Sequence, residues 1–194
     1  KDAFVDKNWR FRDTDVFIWT GAGLDNNWKN PHNWDSRMVP TVGKTVIIPA
    51  DCSMYPILEE NLNLIDINAE NSYDSILIAV GASLDFNGKE VAISVITNNG
   101  TLDLGGSKVF TNELVNGGTI RANGGETLQT QTSTPIGITN STVYEDSIVV
   151  YYFKNGIQNP KIINLPSGSG NAQTYINLVI ESGFSGSCDR GIII

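Results

Sequence analysis

The sequence predicts an all-β chain, a single-stranded β-solenoid with a Trp-rich N-terminal cap and extra C-terminal β-strands, on three observations. Ser83-Leu84-Asp85-Phe86-Asn87-Gly88 recurs as Thr101-Leu102-Asp103-Leu104-Gly105-Gly106 and as Thr119-Ile120-Arg121-Ala122-Asn123-Gly124, a step of 18 residues each time. Within each copy apolar and polar residues alternate. Side chains on a strand point to opposite faces in turn, so Leu84 and Phe86, Leu102 and Leu104, and Ile120 and Ala122 face inward while Asp85, Asp103 and Arg121 face outward. Two further columns keep the step: the glycines Gly88, Gly106 and Gly124, and the residues Val91, Val109 and Thr127. Glycine supplies the positive-φ backbone that tight turns need. A repeat this short cannot bury its own apolar face, whereas stacked copies share one continuous core.

A backward step of 19 places Ile65 and Ile67 before Leu84 and Phe86, and Val46 and Ile48 before those, giving five coils. Forwards, Ile138 is the next expected position. Pro135 and the Gln/Thr-rich run 127–134 interrupt the register there. The expected organisation is therefore a lead-in and Trp-rich cap over 1–44, coils over 45–134, and a C-terminal β segment over 135–194 that continues the solenoid or packs on it.

The 194 residues suffice for one domain with a sizeable core or two small ones. Lys1 to Asp15 mixes charges with Phe4, Trp9 and Phe11 and reads as a short lead-in strand. Next comes Trp19-Thr20-Gly21-Ala22-Gly23-Leu24-Asp25-Asn26-Asn27-Trp28-Lys29-Asn30-Pro31-His32-Asn33-Trp34. Its Gly, Asn and Pro content excludes a helix or an ordinary strand, yet three indoles need an apolar home. Terminal units that differ from the repeat cover the open end of a solenoid core, which assigns Trp19, Trp28 and Trp34 to a cap. Exposed, the same rings would instead form a stacking platform for sugars.

The opening Trp-Thr-Gly, then Asn-Trp-Lys-Asn-Pro-His-Asn-Trp and Val39-Pro40-Thr41, the strand Thr45-Val46-Ile47-Ile48-Pro49, and coils of the Gly-Thr-Leu-Asp-Leu-Gly-Gly kind together resemble the N-terminal part of large bacterial secreted and cell-surface right-handed β-helix proteins. Many of these are adhesin-like, with an architecture similar to filamentous haemagglutinin. The resemblance spans about Trp19 to Thr134. It implies a right-handed parallel β-helix, a secreted or cell-surface location, and a host protein, matrix protein or glycan as partner. It assigns no catalytic residue.

Beyond Pro135, the run 147–153 is strongly β-prone and ends at the turn Lys154-Asn155-Gly156. Residues 158–165 read as a partner strand, 166–171 as a loop and 174–180 as another strand. The apolar end Ile192-Ile193-Ile194 docks as a strand or continues into further chain.

Charge narrows the function. The formal net charge of −8, with scattered basic residues, excludes sequence-independent nucleic-acid binding, which requires clustered Lys and Arg. No apolar run is long enough for a transmembrane helix. The first residues also lack the apolar stretch of a signal peptide, as a mature chain would.

Candidate chemistry concentrates in the outward column Asp66, Asp85, Asp103 and Arg121. In a stack these lie roughly 4.8 Å apart, close enough for like charges to raise a carboxyl pKa or attract a cation and for the paired carboxyls of glycoside cleavage. Solvated surface acids partly offset by Arg121 are the plain alternative. Glu90, Lys108 and Glu126 alternate in sign and read as a cross-strand ladder. The lone His32 has no Cys or His partners at zinc spacing, and Asp25-Asn26-Asn27 lacks the acidic spacing of a calcium loop. No metal site and no cofactor are expected. Asn99-Gly100-Thr101 and Asn140-Ser141-Thr142 match the glycosylation acceptor pattern. Cys52 and Cys188 form a disulfide only if the C-terminal segment folds back along the stack; two buried thiols are the alternative.

The reading of function is a non-enzymatic structural and adhesive module that binds through its flank. Its rivals are a polysaccharide lyase or hydrolase using the acidic column, and a carbohydrate-binding module using the tryptophans.

Overall fold

The computed structural model describes residues 15–66, 74–130, 148–152 and 178–181. Among them the chain is all-β, with twelve strands, one 3-10 turn at Pro31–Asn33 and no α-helix. The strands are β1 (Val16–Ile18), β2 (Thr45–Ile48), β3 (Leu62–Asn63), β4 (Ser75–Ile78), β5 (Ser83–Asp85), β6 (Glu90–Asn98), β7 (Thr101–Asp103), β8 (Lys108–Asn116), β9 (Thr119–Arg121), β10 (Thr127–Thr130), β11 (Ile148–Tyr152) and β12 (Leu178–Glu181). They form a nine-stranded sheet in the order β1-β2-β4-β6-β8-β10-β11-β12, with β3 beside β6, and a three-stranded sheet β5-β7-β9. Every strand pair in both sheets is parallel.

In the smaller sheet the 18-residue step is the register itself. Leu84 pairs with Leu102 and Leu102 with Ile120, and all three are buried. Phe86, Leu104 and Ala122 follow them into the core. The turns after these strands place Gly88, Gly106 and Gly124 at φ of 70°, 84° and 102°, values an L side chain rarely tolerates. Near-complete burial of a Leu or Ile side chain contributes about 1.5–3 kcal/mol, so each 18-residue repeat adds several such increments to the core.

The larger sheet has two parts that meet within β6 and β8. Alternation changes phase in β6, where Ile93 and Ser94 are buried consecutively. β3 aligns with the first half of β6, and β10 with the first half of β8. β4 aligns with the second half of β6, and β1 and β2 stack beyond β4. The inward residues of the second part are Phe17, Val46, Ile76, Ile96 and Leu114, all buried.

The structure corrects the backward extension. Phe17 pairs with Val46, 29 residues on, and Val46 with Ile76, 30 on. Leu62 pairs with Val91, again 29 on. The early steps are longer because each holds a loop that the 18-residue repeats lack. Leu62 and Leu64 are therefore the core residues of that region, while Ile65 is half-buried and Ile67 lies outside the described residues. The forward register also slips. Val109 pairs with Leu128, not Thr127, because the turn Asn123-Gly124-Gly125-Glu126 is one residue longer than its predecessor.

The expected changes at the C-terminal end resolve into more of the same sheet, since β11 adds to β10 and β12 to β11, both parallel. The lead-in strand, the partner strand at 158–165, the loop at 166–171 and the apolar end at 192–194 fall outside the described residues.

Candidate functional site

The acidic column is real over two neighbouring strands, β5 and β7, and ends there. Asp85 pairs in register with Asp103, and Asp103 with Arg121. Asp66 does not join them: the position in register with Asp85 on the other side belongs to Ile57, and Asp66 sits beside Gly43. The longer early step moved it out of the column.

Both remaining carboxylates serve their own turns. Asp85 Oδ1 accepts from the Asn87 N–H at 2.7 Å. Asp103 Oδ1 accepts from the Gly105 N–H at 3.0 Å and from Asn123 Nδ2 at 3.3 Å. These are Asx turns, in which the side chain takes up the backbone donor two residues on. Burial pushes the Asp85 carboxyl above its ordinary 3.8, the Asn87 N–H pulls it back, and the neighbouring Asp103 charge adds to the rise.

The supposed ladder of Glu90, Lys108 and Glu126 keeps its first rung. Lys108 Nζ lies 3.3 Å from Glu90 Oε1. The extra turn residue brings Thr127, not Glu126, into register with Lys108. Glu126 turns inward and is 1% exposed. Its carboxylate accepts from the Gly106 N–H at 2.9 Å, the Gly124 N–H at 2.8 Å and the Asn123 N–H. A buried carboxylate is tolerated when donors surround it, and here it ties two successive turns together.

The Trp-rich loop folds around a single indole. Trp34 makes edge-to-face contacts with Phe17, Trp19 and Trp28 at centroid distances of 6.4, 5.1 and 4.9 Å. Its Nε1 donates to the Trp28 carbonyl at 2.9 Å, and Trp19 Nε1 donates to the Met54 carbonyl at 2.8 Å. Trp19, Trp28 and Trp34 are 0%, 2% and 1% exposed. A sugar platform needs exposed ring faces, and these rings belong instead to the same hydrophobic core as Val46 and Ile48.

Asn33, which sequence reasoning missed, holds that loop. It is fully buried; its Oδ1 accepts from the Gly23 N–H at 2.8 Å, and its Nδ2 donates to Asp25 Oδ1 at 2.6 Å and to the Asn27 carbonyl at 3.1 Å. Asn30 Nδ2 donates to Asp25 Oδ2 at 2.8 Å. Side-chain hydrogen bonds from Asn30 and Asn33 hold the Asp25 carboxyl below its ordinary value, against the opposing effect of desolvation, and the Asn27 N–H assists them. His32 is exposed, with Nδ1 2.8 Å from Arg37 Nη1.

Cys52 is a half-buried free thiol. Its Sγ lies 3.6 Å from the Trp19 carbonyl, and desolvation, with the Asp51 charge, pushes its pKa up. Cys188, the other member of the possible bridge, lies outside the described residues. Asn99 is exposed in the turn between β6 and β7; Asn140 lies outside the described residues. Among the described residues, no group of three or more His, Cys, Asp or Glu could hold a metal ion, and no helix is long and apolar enough to cross a membrane.

One concavity lies on an outer face. A groove of about 570 Å³ runs across β3, β6, β8 and β10. One of its outward columns is Asn63, Ala92, Phe110 and Gln129, aligned by the strand register. Ala92 is the small member, so it leaves a notch between Asn63 and Phe110. The 18-residue step from Ala92 to Phe110 could have revealed this column, had the outward positions of these strands been followed as the inward ones were.

No protein-family model, curated protein or solved structure matches this chain.

Proposed function

We propose that this chain is a non-enzymatic structural and adhesive module of a secreted or cell-surface bacterial protein, built as a single-stranded right-handed β-solenoid. In this reading the two parallel sheets are walls of one coil. Residues 1–44 close its N-terminal end through the tryptophan cluster, 45–134 supply the coils, and 135–194 extend the stack. Its flank meets a host protein, a matrix protein or a glycan.

The observation that carries the reading is that the acids of the repeat are used in building it. Asp85 and Asp103 each hold a backbone N–H of their own turn, and Glu126 ties one turn to the next, roles that call for no substrate. Antibody labelling of intact cells of the native organism, combined with fractionation, tests it. Surface labelling is expected; retention in the cytosol would overturn the proposal.

One observation favours a second reading, that of a polysaccharide-cleaving enzyme: burial and Asp103 raise the Asp85 carboxyl, as a general acid requires. Asp85→Asn and Asp103→Asn keep the turn acceptor and remove the acid. Loss of cleavage of pectic or neutral polysaccharide in both variants would establish this second reading, and the absence of cleavage by the parent chain removes it.

A further inference from the structure

We infer that Asn99 is a site of spontaneous covalent modification: of the Asn-Gly pairs among the described residues, it is the one that deamidates first in the folded chain.

The sequence holds the pairs Asn87-Gly88, Asn99-Gly100, Asn116-Gly117, Asn123-Gly124 and Asn155-Gly156, the last outside the described residues. In deamidation the glycine's backbone nitrogen gives its proton to hydroxide and attacks Cγ of the asparagine. The new N–Cγ bond closes a succinimide ring. The Cγ–Nδ2 bond breaks, and the nitrogen leaves as ammonia after taking a proton from water. Water then opens the ring at one of its two carbonyls, giving aspartate where the Cγ–N bond breaks and isoaspartate where the other C–N bond breaks. One water is consumed and one ammonia released, with no change of oxidation state. Glycine favours the closure because no Cβ crowds its nitrogen.

Each of the four turns is pinned by backbone hydrogen bonds to neighbouring strands, so what separates them is the state of the glycine N–H and of the asparagine amide. At Asn123 the Gly124 N–H donates to Glu126 Oε2 at 2.8 Å, and Asn123 Nδ2 donates to Asp103 Oδ1 at 3.3 Å. A carboxylate at that distance opposes loss of the proton, because the anion left behind would face a like charge. At Asn116 the Gly117 N–H donates to the Asn98 carbonyl at 2.8 Å, and Asn116 Oδ1 accepts from Asn98 Nδ2 at 2.8 Å. At Asn87 the leaving nitrogen is held, since Nδ2 donates to the Leu58 carbonyl at 2.9 Å. The backbone there is fixed in a left-handed turn, with φ of 47° and 70° at Asn87 and Gly88.

Asn99 has neither restraint. It is exposed, and among the described residues neither its side-chain amide nor the Gly100 N–H makes a hydrogen bond. The fold also dictates the labile partner. A Cβ on residue 100 would stand 2.3 Å from the Ala82 carbonyl oxygen and 2.4 Å from that of Ala79, so packing admits only glycine after Asn99. The product bears on the coil: conversion adds one negative charge, and isoaspartate lengthens the backbone by one carbon between the Asn99 N–H, held by the Ile78 carbonyl, and the Thr101 N–H, held by the Ala82 carbonyl.

Peptide mapping by mass spectrometry tests the site on the full chain, incubated at mildly alkaline pH with and without urea. Conversion to aspartate and isoaspartate at Asn99 of the folded chain should run about tenfold faster than at Asn87, Asn116 or Asn123, as expected where those pairs must first break a hydrogen bond. In urea the four rates should converge, because only the shared Asn-Gly chemistry remains. The inference is overturned if Asn99 does not convert, if any of the other three converts as fast in the folded chain, or if the lead of Asn99 persists in urea. Each of these leaves the surface-module reading standing, because that reading fails by cytosolic location.

Discussion

The N-terminal region, 15–66, and the regular region, 83–128, reach the same burial by different means. In the regular region aliphatic side chains stack on copies of themselves, Leu84 on Leu102 on Ile120, and local Asx turns follow β5 and β7. In the N-terminal region unlike aromatic rings meet edge to face around Trp34. Contacts between residues far apart in sequence fix its loops, such as Trp19 Nε1 to Met54 and Asn26 Nδ2 to Tyr55. Repetition makes each strand a template for the next, so a lost side chain is felt by its two neighbours. A single aromatic hub has no such redundancy.

That contrast can be broken most sharply at the hub. Trp34→Ala removes a buried ring that three others touch and should cost about 3–5 kcal/mol. Near-UV circular dichroism should lose its indole signal while the far-UV β signal of the regular region persists. Leu102→Ala, in the middle of the aliphatic column, should cost about 2–5 kcal/mol, and urea unfolding should show one transition shifted as a whole. If Trp34→Ala unfolds the regular region in the same step, the two regions are not separable.

Asn33→Ala is the next test in size. It leaves the Gly23 N–H and the Asp25 carboxylate without their buried partner, which should cost about 1–3 kcal/mol. Gly118→Ala probes the regular region to a comparable degree. A Cβ there would stand 2.2 Å from the Gly100 carbonyl oxygen, and relieving such a contact costs about 1–3 kcal/mol. Thermal denaturation measures both, and an unchanged midpoint in either would contradict the packing described.

The regular region was legible in the sequence because its register is its repeat. Inward residues, turn glycines and the Asp85–Asp103 pairing all follow from a step of 18. The N-terminal steps of 29 and 30 were not legible, because insertions of different composition separate strands whose apolar runs are only two to four residues long. A step of 19 fitted Ile65 as well as the true partner fitted Leu62. Glu126 was misplaced for a related reason: one additional glycine in a turn shifts every later residue, and no local preference signals it. Asn33 lay hidden because a buried amide in an Asn-rich loop has no spacing of its own. The tryptophans were visible as a set; their burial follows from the loop geometry that Asn33 and Asp25 impose.

The smallest expected effects concern two acids of opposite behaviour. Asp25 has a lowered carboxyl pKa when folded, so its contribution is complete above its ordinary 3.8 and is lost as pH falls further, through the folded value. Asp85 has a raised one, so its contribution is greatest below 3.8 and is lost as pH rises through its folded value. Asp85→Asn should therefore leave stability near neutral pH within about 0.5 kcal/mol of the parent, or slightly above it. Asp25→Asn should flatten the acid limb of the pH–stability profile. The same sign of pH dependence at both positions would show that the two turns are not built as described.

Methyl-methyl nuclear Overhauser spectroscopy on a chain labelled at Leu and Ile tests the stacking most directly. Cross-peaks joining Leu84 to Leu102 and Leu102 to Ile120 are expected, with none directly between Leu84 and Ile120, which are two strands apart. A Leu102 methyl whose cross-peaks run to neither Leu84 nor Ile120 would contradict the account.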